Sequence, residues 1–139
     1  MNTTKFVIGG IAGGIIYFFL GYLAYGMLLT NYMRSFVSGV DRTDAMVYWA
    51  LILGNLLLGF VLSYVINRSG GASVIGGLVT GFVTGFLFIA GFDFIMYATT
   101  HLISLHQVAA DTIAFTIISA IAGAVVAIVS RQRRLIATA

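Results

Sequence analysis

Long stretches without charge govern what this chain can fold into. Residues 6–33, 45–67, 69–92 and 112–130 contain no Asp, Glu, Lys or Arg. An α-helix needs about 20 apolar residues to cross the roughly 30 Å of bilayer hydrocarbon, and each stretch is close to that length or beyond it. Only 8% of the 139 residues are charged and 60% are hydrophobic, whereas soluble domains carry about 25% charged residues. That balance excludes an ordinary soluble domain and a disordered chain, and the absence of Cys excludes a disulfide-stapled secreted one. The net charge of +3 comes mostly from arginines at one end, so no nucleic-acid partner is expected. The expected surroundings are a lipid bilayer.

Backbone polar groups in lipid must be satisfied internally, which leaves helices or closed barrels. The segment Ile11 to Leu20 is apolar on every face rather than alternating, so helices are expected. The sequence predicts an all-α fold, a single transmembrane bundle of four helices over residues 1–139, with spans at about 6–29, 46–66, 73–98 and 106–129. The first span reads as a retained helix rather than a signal peptide: its apolar run is long, Lys5 alone precedes it, and no small-x-small cleavage pattern follows. With the N-terminus inside, Lys5, Arg68, Arg131, Arg133 and Arg134 gather on the inner side and only Arg34 and Arg42 on the outer. Both termini are therefore expected to be cytoplasmic. The run Arg131-Gln-Arg-Arg134 reads as a stop-transfer anchor beside anionic lipid.

Local signals mark the helix ends. Ser104 followed by Gln107 forms a capping-box pattern that starts the fourth helix near Leu105. Asp41 or Thr43 is placed to cap the second, and Asn67-Arg-Ser-Gly-Gly71 reads as a turn. So short a turn makes the second and third spans antiparallel neighbours.

Most of the 17 glycines fall inside spans. Gly9 with Gly13 and Gly10 with Gly14 are small-xxx-small pairs; Gly77, Gly81 and Gly85 form a longer stripe. Ser119, Gly123 and Ala127 make another, and Asn55, Gly59 and Ser63 a fourth. Lipid supplies no hydrophobic drive for helix association, so such stripes bring backbones together, either within the chain or against a second subunit. Val7-Ile-Gly-Gly10 and Val74-Ile-Gly-Gly77 also match at an offset of 67 residues, as two parallel hairpin repeats would.

Asp93 and Asp111 are the acidic residues within spans, and antiparallel helices bring them to similar depth. Tyr97, Thr99, Thr100, His101 and His106 lie nearby in sequence; Tyr25, Tyr48 and Trp49 end at the same face. Ionisable groups in a span are costly and mark candidate sites. Three readings of Asp93 and Asp111 stand: they lock helices together, they share a proton for coupled transport, or they bind a divalent metal with the two histidines. His101 and His106 are five apart, not three or four, so no metal is expected. No haem or other cofactor is expected either. Asn55 is expected to bond a neighbouring helix or to line a polar path. Tyr48, Trp49 and Tyr97 suit an interfacial aromatic belt, while Phe82, Phe86 and Phe94 suit lipid contact. No nucleophile elbow, P-loop or zinc-protease pattern occurs, so no enzyme is expected.

The stretch from Phe92 through Tyr97, Thr100 and Leu105, followed by Asp111, resembles small four-span bacterial membrane proteins grouped as a domain of unknown function. Those carry Tyr-x-x-Thr-Asn-x-x-x-Leu and an Asp in the next helix; here His101 replaces the Asn, and the Trp-Pro segment before the Asp is missing. The resemblance covers about 30 residues and implies fold and topology, in a bacterial inner membrane, without an activity. The Gly9-Gly10-x-x-Gly13 opening and Asn55 with Gly59-Phe60 are similar to small fluoride channels, but the Thr-rich break of their third helix is absent and the Arg asymmetry opposes dual topology. The functional expectation is a non-enzymatic accessory or scaffold subunit packed through glycine-rich faces, in a homodimer or larger complex. The alternative is a small homodimeric proton- or ion-coupled transporter or channel using Asp93 and Asp111.

Overall fold

The computed structural model describes residues 2–34, 40, 41, 45–69 and 73–137. Among these the fold is all-α, with α1 (Thr3–Gly21) continuing into a π-helical segment (Tyr22–Leu28), then α2 (Tyr48–Arg68), α3 (Val74–Thr99) and α4 (Leu105–Ala137). Four helices are long and apolar enough to cross a membrane, the first being α1 with its π-helical continuation. Side chains start three of them. Asn2 Oδ1 accepts from the Thr4 and Lys5 amides (3.0 and 3.3 Å), and Ser73 Oγ accepts from the Gly76 amide at 2.9 Å. At α4 the capping box forms as expected: Ser104 Oγ accepts from the Gln107 amide (3.3 Å) while Gln107 Oε1 accepts from the Ser104 amide (2.8 Å).

Two boundaries differ from expectation. Val47, not Asp41 or Thr43, precedes α2, and it makes no side-chain cap. Thr43 lies outside the described residues, as do Arg42, Gly70 and Gly71. At the other end α4 continues past the expected span, so the Arg131–Arg134 run is helical rather than following the helix.

Glycines decide which helices meet. α1 packs antiparallel on α2, where a Cβ on Gly14 would come within 2.9 Å of Leu56 Cα and one on Gly59 would strike the Gly14 backbone. A Cβ on Gly10 would run into the Phe60 ring, and one on Gly9 or Gly13 would press on Val126 of α4 at 3.2 or 3.0 Å. α3 packs antiparallel on α4 in the same way: Gly77 and Gly123 are in mutual backbone contact, and Gly81 and Gly85 lie against Ser119. Every glycine stripe is therefore taken up inside the chain. Leu62 and Ile66 of α2, Tyr17 of α1 and Ile118, Ala122, Val126 and Ala127 of α4 fill the core between them.

The expectation that α2 and α3 are packing neighbours is not met. They barely touch; α3 rests almost wholly on α4. The reason lies in the small-residue faces. The α3 glycines find their complement in Ser119 and Gly123, and the one on α2 is already occupied by α1. The tightest pairs are accordingly α1 with α2 and α3 with α4, the two hairpins marked by the repeated Val-Ile-Gly-Gly. The outward face of α3, with Phe82, Phe86 and Phe94, is exposed.

α1 and α2 pack less closely past Gly14, whereas α3 and α4 stay packed to their far end, where Ile89, Asp93, Gln107 and Val108 are buried. A Cβ on Gly21 would find only Asn55 Oδ1, at 3.9 Å, and one on Gly54 or Gly91 would meet nothing within 4 Å. Gly54 and Gly91 lie on exposed faces, so of these three only Gly21 marks a looser contact, between α1 and α2.

Candidate functional site

The end of the bundle opposite the N-terminus holds the two acidic groups of the spans. Asp93 lies six residues before the end of α3 and Asp111 six residues after the start of α4. At 1.5 Å per residue both are about 9 Å in from their helix ends, at one depth. Their carboxyl groups are within hydrogen-bonding reach of each other. The Tyr25 hydroxyl donates to Asp111 Oδ1. Asp93 is 3% exposed, and its Oδ2 is buried without a hydrogen-bond partner. One and five residues beyond Asp111, the hydroxyls of Thr112 and Thr116 are likewise buried without partners.

The π-helical segment puts Tyr25 there. Tyr17 already faces α4, donating to Ser119 Oγ at 2.9 Å and stacking on Phe115 with ring centroids 5.5 Å apart. On an α-helix, a residue eight positions later would point about 80° away from the same face. Through Tyr22–Leu28 the chain winds with more residues per turn, shown by the Leu29 amide reaching back five residues to the Ala24 carbonyl at 2.7 Å. Tyr25 is thereby returned towards α4. The eight residues from Tyr17 to Tyr25 are matched by eight from Ser119 to Asp111. Thr30 Oγ1 caps the segment by donating to the Tyr25 carbonyl at 2.9 Å.

Beside this cluster, where α1 and α2 diverge past the last glycine contact, lies a cavity of about 730 Å³. Tyr17, Phe18, Phe19, Tyr22, Tyr25, Tyr48 and Phe115 supply aromatic walls, with Asn55 and Leu51 on the α2 side. Phe19, Tyr22 and Tyr48 are each 64% exposed, so this wall faces outward between α1 and α2. The cavity lies where the first span and α2 part. Its cause is local: Ile15 to Leu20 are all large, and a Cβ on Gly21, the next small residue, would find only Asn55 Oδ1 at 3.9 Å.

Of the residues singled out in the sequence, the structure brings together Asp93 and Asp111, with Tyr25 as their link to α1. Tyr97, His101 and His106 are exposed. Thr100 Oγ1 returns to its own helix at the Met96 carbonyl, 2.7 Å away. Among the described residues no group of three His, Cys, Asp or Glu side chains could hold a metal ion. Asn55 Nδ2 donates to the Leu51 carbonyl of its own helix at 2.8 Å, not to a neighbouring helix, and so borders the cavity. Gln107 does more than cap. It is 3% exposed, and its Nε2 donates to the carbonyls of Tyr32 (3.1 Å) and Arg34 (3.0 Å), tying the segment after the π-helix to α4.

Comparison with protein-family models, curated proteins and solved structures finds no match to this chain.

Proposed function

We propose that the chain is a small, non-enzymatic, proton-coupled membrane transporter in which Asp93 and Asp111 together hold the coupling proton. The single observation behind this reading is the contact of two carboxyl groups from different helices within the spans, one oxygen of Asp93 being buried and unpartnered. Two adjoining carboxyl groups in a poorly solvated site are stable when they share a proton, and they titrate as one unit. Tyr25 connects that unit to the cavity, because its hydroxyl reaches Asp111 while its ring forms part of the wall. The placement of Lys5, Arg68 and the Arg131–Arg134 run supports cytoplasmic termini, and the Tyr97–Asp111 resemblance supports a bacterial inner membrane. With the glycine faces used internally, a homodimer or larger complex would pack through the outward faces of α2 and α3.

A scaffold role draws on a different aspect of the same contacts. Tyr25–Asp111 and Asp93–Asp111 join the first and third helices to α4, which a purely structural lock would also do. Reconstitution in liposomes separates the two readings. With Asp93→Asn/Asp111→Asn, the transporter reading expects normal assembly, loss of the pH-dependent carboxyl infrared band and loss of pH-linked flux. A wild type that moves nothing, with a double variant that fails to assemble, would leave the scaffold.

A further inference from the structure

We infer that the cavity between α1 and α2 binds a lipophilic organic cation, admitted from the bilayer, and that this cation exchanges for the proton on the Asp93–Asp111 pair. The inference rests on the proton-holding reading of that pair and names what it is coupled to. Three features of the site converge on this ligand class.

The first is size. A volume of about 730 Å³ matches the range of drug-sized ligand pockets, roughly 300–1,000 Å³. The second is the wall. Tyr17, Phe19, Tyr22, Tyr25, Tyr48 and Phe115 line it with aromatic rings, and such rings attract cations through their quadrupoles, more strongly where water is excluded. The third is charge. Among the described residues, the ionisable side chains around the site are Tyr17, Tyr22 and Tyr25 from the first span, Tyr48 from α2, Asp93 from α3 and Asp111 from α4. Among the described residues no Lys or Arg lies in the lining. The formal charge this set can offer is negative, and it lies on the pair directly behind Tyr25, whose hydroxyl reaches Asp111 while its ring lines the wall. Among these residues an anion would find no charged partner.

The exchange balances. When the pair releases its proton it gains one negative charge, and a monovalent cation in the cavity restores neutrality; when the proton returns, the cation is no longer held. Access follows from exposure, since the outward wall of Phe19, Tyr22 and Tyr48 faces the side where lipid would be.

Tetraphenylphosphonium and tetraphenylborate test this directly, being alike in size and shape but opposite in charge. Binding to the purified protein in detergent is measured by isothermal titration across pH. The expected result is saturable binding of the phosphonium, tightening as the buffer becomes more alkaline, and no comparable binding of the borate. Asp93→Asn/Asp111→Asn is expected to abolish the pH dependence and weaken the phosphonium by about tenfold or more. Leu51→Trp, which fills the cavity from an exposed helix position, is expected to block binding while the aspartates still titrate. Equal binding of both ions, no binding of the phosphonium, or unchanged phosphonium binding in the Asn variants would each overturn the inference. The carboxyl infrared band of the ligand-free protein is read separately, so a pair that titrates without cation binding rejects this inference alone. A pair that never titrates rejects the proton-holding reading as well.

Discussion

Tyr25 and Asp111, 86 residues apart in sequence, are joined hydroxyl to carboxyl across the interface of the first and fourth helices. The contact exists because seven residues of π-helix turn Tyr25 towards a carboxyl group that α4 presents two turns above Ser119. It links the acid pair to the cavity wall through a single oxygen atom.

Tyr25→Phe removes that oxygen and keeps the ring. Hydrogen bonds between helices in a bilayer average about 0.6 kcal/mol, with larger values up to about 1.7. A loss of roughly 1 kcal/mol in reversible unfolding is expected, and a double-mutant cycle with Asp111→Asn should recover most of it as a coupling term. If the two substitutions are additive, the contact has no energetic role.

Glycine substitutions should divide sharply. A Cβ on Gly59 or Gly77 meets backbone that cannot rotate away, so Gly59→Ala and Gly77→Ala are expected to cost about 1–3 kcal/mol each by overpacking. Gly54→Ala and Gly91→Ala place the same methyl in open space and should be neutral or stabilising by about 0.5–1 kcal/mol, since alanine is the better helix former. Thermal unfolding in detergent measures all four against one another.

Gln107→Ala should act in two places. It breaks the capping box at the start of α4 and frees the carbonyls of Tyr32 and Arg34. A loss of about 1–2 kcal/mol is expected from the cap alone. Hydrogen exchange should also speed up at residues 29–34, which a Ser104→Ala variant would affect less.

Tyr17→Phe and Ser119→Ala test the middle layer. Each removes one end of a buried 2.9 Å hydrogen bond midway along the helices and leaves the other end unpaired. Either change is expected to cost about 1–2 kcal/mol, and the pair together less than the sum.

What the sequence discloses follows from which interactions are local. Charge-free runs and the Ser104–Gln107 spacing depend on neighbouring residues, and they located four helices and one cap correctly. The spacing of Gly77, Gly81 and Gly85 can also be read without knowing the partner, and in the structure these residues lie against Ser119 and Gly123 of α4. Which stripe meets which is a tertiary matter, and the short turn before Ser73 suggested the wrong neighbour for α2. Nothing local announces the π-helical winding of Tyr22–Leu28, so Tyr25 appeared only as one of several aromatic residues at that face. His101, His106 and Tyr97 attracted notice by type, but their helical phase and position at the helix ends turn them outward. The cavity was invisible for a similar reason: it arises where close contact stops, and sequence patterns advertise contact rather than its absence.

The π-helical winding also fixes how the first span is turned against α4. Tyr17 and Tyr25 both reach α4, at Ser119 and Asp111, so two hydroxyls hold that rotation at levels eight residues apart. Regular α-helical winding between them would swing Tyr25 about 80° off the face that Tyr17 shares, and the acid pair would lose its bond to the first span.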